Sequence, residues 1–462
     1  MTATALSKLC HQYQAIIVRE DDHTLYIAVA QSPEEPFLNA LRFASNKQIH
    51  VSCWPEEQLE KARLPQAGQH PEKAAEQDIA EDSDPLDAIL SCAITRRASD
   101  IHIEPGAEKL AIRLRVDGVL HLLHHLPSAL APPLLARLKV CAGLDIAERR
   151  LPQDGQFSTR VSATDVTLRV STLPCHHGEK AVLRLQVLQP ADYCADVPGM
   201  SGQQKKLWQH ALDSPQGLIL VTGPTGSGKT RTLYAGLHAL NHSGVNICSA
   251  EDPIEIPIAG INQTQINTRA GLDFPLILRA LLRQDPDIMM IGEIRDALTA
   301  DIAIKAAQTG HLVLSTLHTN STTDTVTRLQ NMGIPGWVLA SVLRLIVAQR
   351  LVRRLCPHCR QPAKTPAYIH HPGDTGPGEG LTHWLPAGCQ RCYAGYYGRL
   401  ALFEMLPPDP LIRQAISQGT DNTTLAGLAK ESGYPSLLHS AAHAIRQGLT
   451  TASEVWRVIG DN

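Results

Sequence analysis

The fold class predicted by this sequence is α/β, and three observations carry that reading. Between about Gly202 and Leu355, short apolar runs (GLILVTG, PDIMMIGE, HLVLSTLH) alternate with helix-compatible stretches. That alternation is the mark of a mostly parallel sheet covered on both sides. Upstream, period-two runs such as IHIE, IRLRVD, VTLRVSTL and AVLRLQVL predict a separate sheet with one charged face. Downstream, paired cysteines and a helical end follow.

Bulk properties set the bounds. A chain of 462 residues is too long for one ordinary core, so about three domains plus smaller modules are expected. Hydrophobic residues at 43% and charged residues at 19% are globular values and argue against wholesale disorder. A net charge of −3 offers no global positive field for nucleic acid or an acidic membrane. No apolar run reaches the ~18 residues of a spanning helix, and the start MTATALSKLCHQYQ lacks the pattern of a secretory signal. The expectation is a cytoplasmic protein that meets a membrane only through a partner.

The elements read in order. Residues 1–64 form a small α/β module, with strand-like AIIVRE and TLYIAVA and helix-like PFLNALRFAS. Residues 65–83, charged and Pro-bearing, read as a linker. The segment 84–190 opens with helix-like PLDAILSCAITRR and continues as a sheet domain with one charged face. In it Ile101 and Ile103 oppose Asp100, His102 and Glu104, and Ile112, Leu114 and Val116 oppose Arg113, Arg115 and Asp117. Val197-Pro198-Gly199 suits a hinge before the 202–355 core.

In that core GLILVTG runs into Gly223-Pro224-Thr225-Gly226-Ser227-Gly228-Lys229-Thr230 and then RTLYAGLHAL. The glycines let the backbone turn tightly and aim N–H groups at phosphate oxygens. Lys229 can reach the β- and γ-phosphates of ATP, and Thr230 can ligate Mg²⁺. Chance alone puts such a motif in on the order of a few percent of chains this long. The strand before it and the helix after it lower that further. The core is therefore read as a RecA-like P-loop NTPase core.

Three more strands end in polar groups: VNICSAED in Glu251 and Asp252, PDIMMIGEIRD in Glu293, and HLVLSTLHTN in His318. Ligands of open α/β sheets bind at the carboxyl ends of strands, so one converging site is expected. Glu293 or Glu251 would polarise water or hold Mg²⁺, and the sequence leaves the two tasks unassigned. His318 would sense the γ-phosphate, although a strand-end His taken alone is more often structural.

Cys356-Pro-His-Cys359 and Cys389-Gln-Arg-Cys392 are two C-x2-C pairs separated by residues 360–388. Two such turns close a tetrahedral, structural Zn²⁺ shell. Unrelated turns or a redox pair are the competing readings, and His358 is a weaker ligand candidate. The module is placed at 356–400, with a helical region at 401–462.

These residues carry a resemblance. ASDIHIEP, IRLRVDGVL, LDIAERRLPQDG, GPTGSGKT, AEDPIE, RQDPDIMMIGEIRD, TGHLVLSTLHTN and CPHC…CQRC with GRLALFEML resemble the secretion ATPases of type II secretion and type IV pilus assembly. The likeness is to the GspE/PilB group, and especially its HofB branch, over about residues 84–462. The resemblance implies a PAS-like α/β sheet domain over 84–190 and a homo-hexamer in which that module packs on a neighbour's nucleotide domain. Arg113 and Arg115 would then act as arginine fingers across a subunit boundary, with Arg283 and Arg295 as weaker candidates; a merely solvated strand face is the competing reading. It further implies a motor that turns an inner-membrane platform protein and adds pilin subunits. The cysteine module favours assembly over retraction. The alternatives are a nucleotide-binding scaffold without turnover and a nucleic-acid translocase. Aromatics at only 4% and the lack of a basic cluster argue against the latter.

Overall fold

The computed structural model describes residues 16–20, 24–29, 48–53, 84–161, 164–187, 197–365, 367–369 and 379–460. The chain falls into two units, Met1–Gln77 and Asp78–Asn462. In the first, β1 (Ile16–Glu20), β2 (Thr24–Val29) and β3 (Gln48–Cys53) form a three-stranded sheet with β2 in the middle. The helix expected over PFLNALRFAS, the linker expected over 65–83 and the domain end near Pro190 lie outside the described residues.

The second unit opens with α1 (Pro85–Thr95), whose N-cap Asp84 accepts from Leu86 N and whose Leu86, Ile89, Leu90 and Ala93 are buried. Next come β4 (Ala98–Pro105), β5 (Lys109–Val116), β6 (Val119–Pro127), α2 (Ala131–Cys141), β7 (Gln153–Val161), β8 (Thr164–Cys175) and β9 (Gly178–Val187). The strands form one antiparallel sheet in the order β6-β5-β4-β9-β8-β7. The period-two pattern sorts its two faces. Ile101, Ile103, Leu110, Ile112, Leu114 and Leu183 are buried, and α1 packs on β4 and β7. The opposite face carries ion pairs: Asp100 with Arg115 and Arg184, and Glu104 with Arg113 and Lys180.

A seven-stranded sheet follows. Its strands are β10 (Gly217–Thr222), β11 (Ile247–Glu251), β12 (Asn262–Gln265), β13 (Ile288–Ile291), β14 (Leu312–Leu317), β15 (Leu343–Leu355) and β20 (Tyr396–Leu406), in the order β12-β11-β13-β14-β10-β15-β20. Every pairing is parallel except β15 with β20. Between those two strands lie the small pairs β16 (Gln361–Pro362) with β19 (Trp384–Leu385) and β17 (Ala367–Ile369) with β18 (Glu379–Leu381). The seventh strand thus comes from beyond Leu355, inside the segment the sequence suggests is a separate tail. Its pairing partner is an antiparallel neighbour across a long insertion, which leaves no local signal.

Helices α3 (Gly202–Leu212), α4 (Lys229–Leu240), α5 (Phe274–Leu281), α6 (Ala297–Gln308), α7 (Thr322–Asn331) and α8 (Gly336–Val342) connect the strands. α9 (Pro410–Ser417), α10 (Asn422–Glu431), α11 (Leu437–Arg446) and α12 (Ala452–Ile459) follow the last one. β10, β13 and β14 are buried at every position, as sheet strands covered on both faces must be. Among the described residues no helix is long and apolar enough to cross a membrane.

The two sheets of this unit touch at the tight turn between β5 and β6. Asp117 Oδ2 accepts from Gly398 N at 3.0 Å and pairs with Arg97 at 3.5 Å, while the Arg97 guanidinium lies 3.9 Å from the centre of the Tyr397 ring. Asp117 and Gly118 both have positive φ (50° and 88°), as a two-residue hairpin turn requires.

α12 is anchored by Glu454, which is 1% exposed. Its carboxylate accepts from Arg353 N at 3.0 Å, from Arg353 Nη2 at 2.8 Å and from Arg457 Nη2 at 2.6 Å. Burial works to raise its pKa, but the Arg457 and Arg353 bonds outweigh it and hold the carboxyl below the usual range. Removing one partner of a buried ion pair leaves uncompensated charge, so Glu454→Ala is expected to cost about 3 kcal/mol. Because the folded pKa is depressed, this contribution is complete above the ordinary glutamate value. It is lost as pH falls through the depressed folded value. Chemical denaturation of both proteins at neutral pH and at pH 3.5 checks the expectation: the gap between them should shrink in acid.

Candidate nucleotide site

Parallel pairing fixes where the polar strand ends go. β10, β11, β13 and β14 all point the same way, so the residues that follow them emerge along one edge. There they line a cleft of about 1220 Å³ that contains residues 224–230, Glu251, Glu293 and His318.

The loop after β10 is built for close approach. Gly223, Gly226 and Gly228 have φ of 147°, 80° and 88°, in the region that side chains disfavour. A Cβ at Gly223 would lie 2.5 Å from Gln349 O and 2.6 Å from Ser227 Oγ. Gly228 is the N-cap of α4, so the helix start and its unpaired N–H groups face the cleft. Lys229 Nζ folds back onto its own loop, donating to Gly223 O at 2.8 Å and Pro224 O at 3.2 Å. Burial lowers its pKa to about 8; Glu293 pulls it up and Arg350 pushes it further down. Thr230 is exposed and lines the cleft.

The residues fit a polyphosphate by a test internal to the structure. Ser227 Oγ is buried and has no hydrogen-bond partner, an orphan donor inside a cradle of N–H groups. Such groups are costly to leave unmade.

The two carboxylates differ. Glu251 is 3% exposed, and its oxygens are taken by the Tyr234 hydroxyl, by Ser249 Oγ at 2.6 Å and by Gln263 Nε2 at 3.0 Å. Glu293 is open on the cleft side and meets His318 Nε2 at 3.3 Å and the Arg295 guanidinium. Burial tends to raise its pKa, but the Arg295 bond and charge and the His318 contact leave it lowered, so it is an ionised acceptor at neutral pH.

The charged face of the six-stranded sheet divides. Arg115 lines the cleft, beside Asp100 and Arg184. Arg113 lies outside it, bound to Glu104 at 2.7 and 2.8 Å. Arg283 donates to Arg279 O on the surface, and Arg295 pairs with Glu293 and Asp252. Among the cleft residues that escaped the sequence reading are Arg184, Gln349 and Arg350. Gln349 Oε1 accepts from Thr232 Oγ1 at 2.7 Å. The available signal was a Gln-Arg pair interrupting the apolar run LRLIVAQRLV.

The four cysteines meet at the junction of β15 and β20. Their Sγ atoms all lie within 4.8 Å of one another, with edges of 3.8 Å (Cys356 to Cys389), 3.7 Å (Cys359 to Cys392) and 3.6 Å (Cys389 to Cys392). A tetrahedron with Zn–S bonds of about 2.3 Å has edges of about 3.8 Å, so the donor set fits Zn²⁺. His358 is exposed and outside the cluster.

The family model described as Type II/IV secretion system protein matches residues 75–457. The chain belongs to this family. It is 51% identical to the protein transport protein HofB homolog of Escherichia coli (strain K12), over 100% of this chain and 99% of that protein. It is 45% identical to the type IV pilus assembly ATPase PilB of Pseudomonas aeruginosa, over 84% of this chain and 70% of the relative. Among solved structures it is similar to the pilus retraction motor PilT with bound ADP. That match has a TM-score of 0.54 and 26% identity, covering 80% of this chain and 96% of the other.

Proposed function

We propose that this chain is the ATPase subunit of a type IV pilus or type II secretion assembly system, acting as a homo-hexamer on an inner-membrane platform protein. The observation that carries the reading is the convergence of the P-loop, Glu293 and His318 on one cleft in a member of this family. In this reading the core is RecA-like, the sheet before it PAS-like, and the protein works in the cytoplasm.

The geometry supports the following roles. On binding, Lys229 exchanges Gly223 O and Pro224 O for phosphate oxygens, and the Gly226–Thr230 amides and Ser227 Oγ take up the rest. Thr230 would hold Mg²⁺, which when bound neutralises charge on the β- and γ-phosphates. Glu293, ionised and steered by His318, accepts a hydrogen bond from the attacking water. The new P–O bond forms as the bond to the β-bridging oxygen breaks, the water's proton passes to Glu293 and on to solvent, and ADP leaves with the electron pair. Glu251, its acceptors already engaged, orders the floor of the site through Tyr234. Arg115 stabilises charge on the transferring group, and Arg113 holds the face that presents it. Cys356, Cys359, Cys389 and Cys392 would hold a structural Zn²⁺, which when bound would tie the end of β15 to the start of β20.

Turnover measured beside oligomeric state tests the reading: hydrolysis by the hexamer, unstimulated by DNA, is expected, and a hexameric wild type without turnover overturns it. Mixing tests the shared site. Chains with Arg115→Ala and chains with Lys229→Ala, each inactive alone, should regain up to roughly a quarter of wild-type activity together if a neighbour supplies Arg115. No recovery would assign Arg115 to its own chain's cleft.

A further inference from the structure

Behind the phosphate cradle lies a second buried cation that the reading above leaves without a task. Arg350, on β15, is 4% exposed and lines the cleft. A Cβ built on Gly223 would sit 3.2 Å from its Nη1, so the guanidinium lies directly against the first residue of the P-loop. Its hydrogen bonds go to neutral oxygens: Nη1 donates to Gln349 O at 3.2 Å, and Nη2 donates to Asn320 O at 3.0 Å and Asn320 Oδ1 at 3.1 Å. Among the described residues no carboxylate comes within ion-pairing distance of it. The acidic group that acts on it, Glu404, accepts instead from Thr322 N, Thr322 Oγ1 and Leu437 N.

A buried guanidinium without a counter-ion is costly unless something brings negative charge to it. Arg350 and Lys229 face the same loop and repel each other. Glu293 and Glu404 act on them only from beyond ion-pairing distance, and the anion that would pair with both directly is the one the cradle is shaped to receive. At its other end Arg350 grips Asn320, two residues beyond His318. The same segment is held from below by Thr222 Oγ1, which receives Thr319 N at 2.9 Å. Arg350 therefore bridges the loop that receives phosphate and the loop that carries His318.

Resting on the nucleotide reading of this cleft, we propose that Arg350 is a positioning residue: its charge is completed by the bound polyphosphate, and its fork sets the Thr319–Thr322 segment, and with it His318, against the P-loop. Charge and fork make separable demands. R350K keeps the first and loses the second, whereas R350Q loses the charge.

The full-length chain is compared as wild type, R350K and R350Q by nucleotide titration with a non-hydrolysable ATP analogue and Mg²⁺, by thermal melting with and without the analogue, and by steady-state turnover. R350Q should melt within a few degrees of wild type when free, gain less than half the wild-type shift with analogue, and bind it about tenfold more weakly. R350K should bind within about threefold of wild type while kcat falls about tenfold. A residue that merely supports the fold would lower the free melting temperature in both variants and leave the analogue-induced shift intact, which overturns the proposal. R350K turning over like wild type overturns the fork's part in it. A wild type that shows no analogue shift removes the nucleotide site and this role together. A normal wild-type shift shared by both variants removes this role alone.

Discussion

Lys229→Ala will reduce ATP turnover by about 10³-fold or more. The ammonium is the mobile charge of the cradle: in the free protein it is tied to Gly223 O and Pro224 O, so reaching a phosphate costs it two hydrogen bonds and returns stronger, charge-assisted ones. Glu293→Gln should lose turnover by about 10²- to 10⁴-fold while still binding nucleotide, because it removes the ionised acceptor without opening the cradle. Equilibrium binding and turnover of the two variants separate the claims. An E293Q protein that turns over normally would shift the water-activating role to another group.

The lowered Lys229 pKa adds a pH signature. The protonated amine is the form that binds phosphate, and burial brings its pKa in the free protein to about 8. Nucleotide affinity should be level below that value and weaken by up to about tenfold per pH unit above it, until the raised pKa of the bound state is passed. Affinity measured from pH 7 to 9.5 in wild type, against a flat profile in Lys229→Ala, reads this directly.

Loss of the zinc proposed for the four cysteines should have the next largest effect. Metal analysis of the purified protein is expected to give about one zinc per chain. Cys356→Ser, at the buried member of the set, should abolish it. Binding free energy of a structural site is folding free energy, so the variant should lose several kcal/mol, about 3 or more. The loss should concentrate where β15 passes into β20, since Cys356 follows the last residue of one and Cys392 lies just before the other. Hydrogen exchange across Arg350–Cys356 and Tyr396–Leu402 should rise first. Metal-free protein with unchanged exchange there would rule zinc out as the staple.

How much of this was legible in the sequence depended on how local each signal is. The P-loop, the apolar strands and their polar ends are written within a few residues of one another, so the parallel sheet and its edge could be read directly. The alternation of Ile101 and Ile103 with Asp100 and His102, or of Ile112 and Leu114 with Arg113 and Arg115, likewise follows from the two-residue period of a strand. The seventh strand was hidden because Tyr396–Leu406 pairs with β15 across residues 356–395. Nor could periodicity separate Arg113 from Arg115. They share a face, yet only Arg115 reaches the cleft, because Glu104 and Lys180 on adjacent strands engage the other end of that face. The division between Glu251 and Glu293 depends on Tyr234, Ser249 and Gln263, brought together only by folding.

The meeting of the Asp117 turn with Gly398 and Tyr397 has a mechanical consequence. It is one backbone donor, one partly open ion pair and one cation stacked on a ring, and beside it His121 packs on Tyr393 at 4.3 Å and Gln186 Nε2 donates to Glu255 at 3.1 Å. Contacts of this kind break and re-form singly, unlike a shared apolar core, so the seam between the two sheets can open without exposing a large apolar surface.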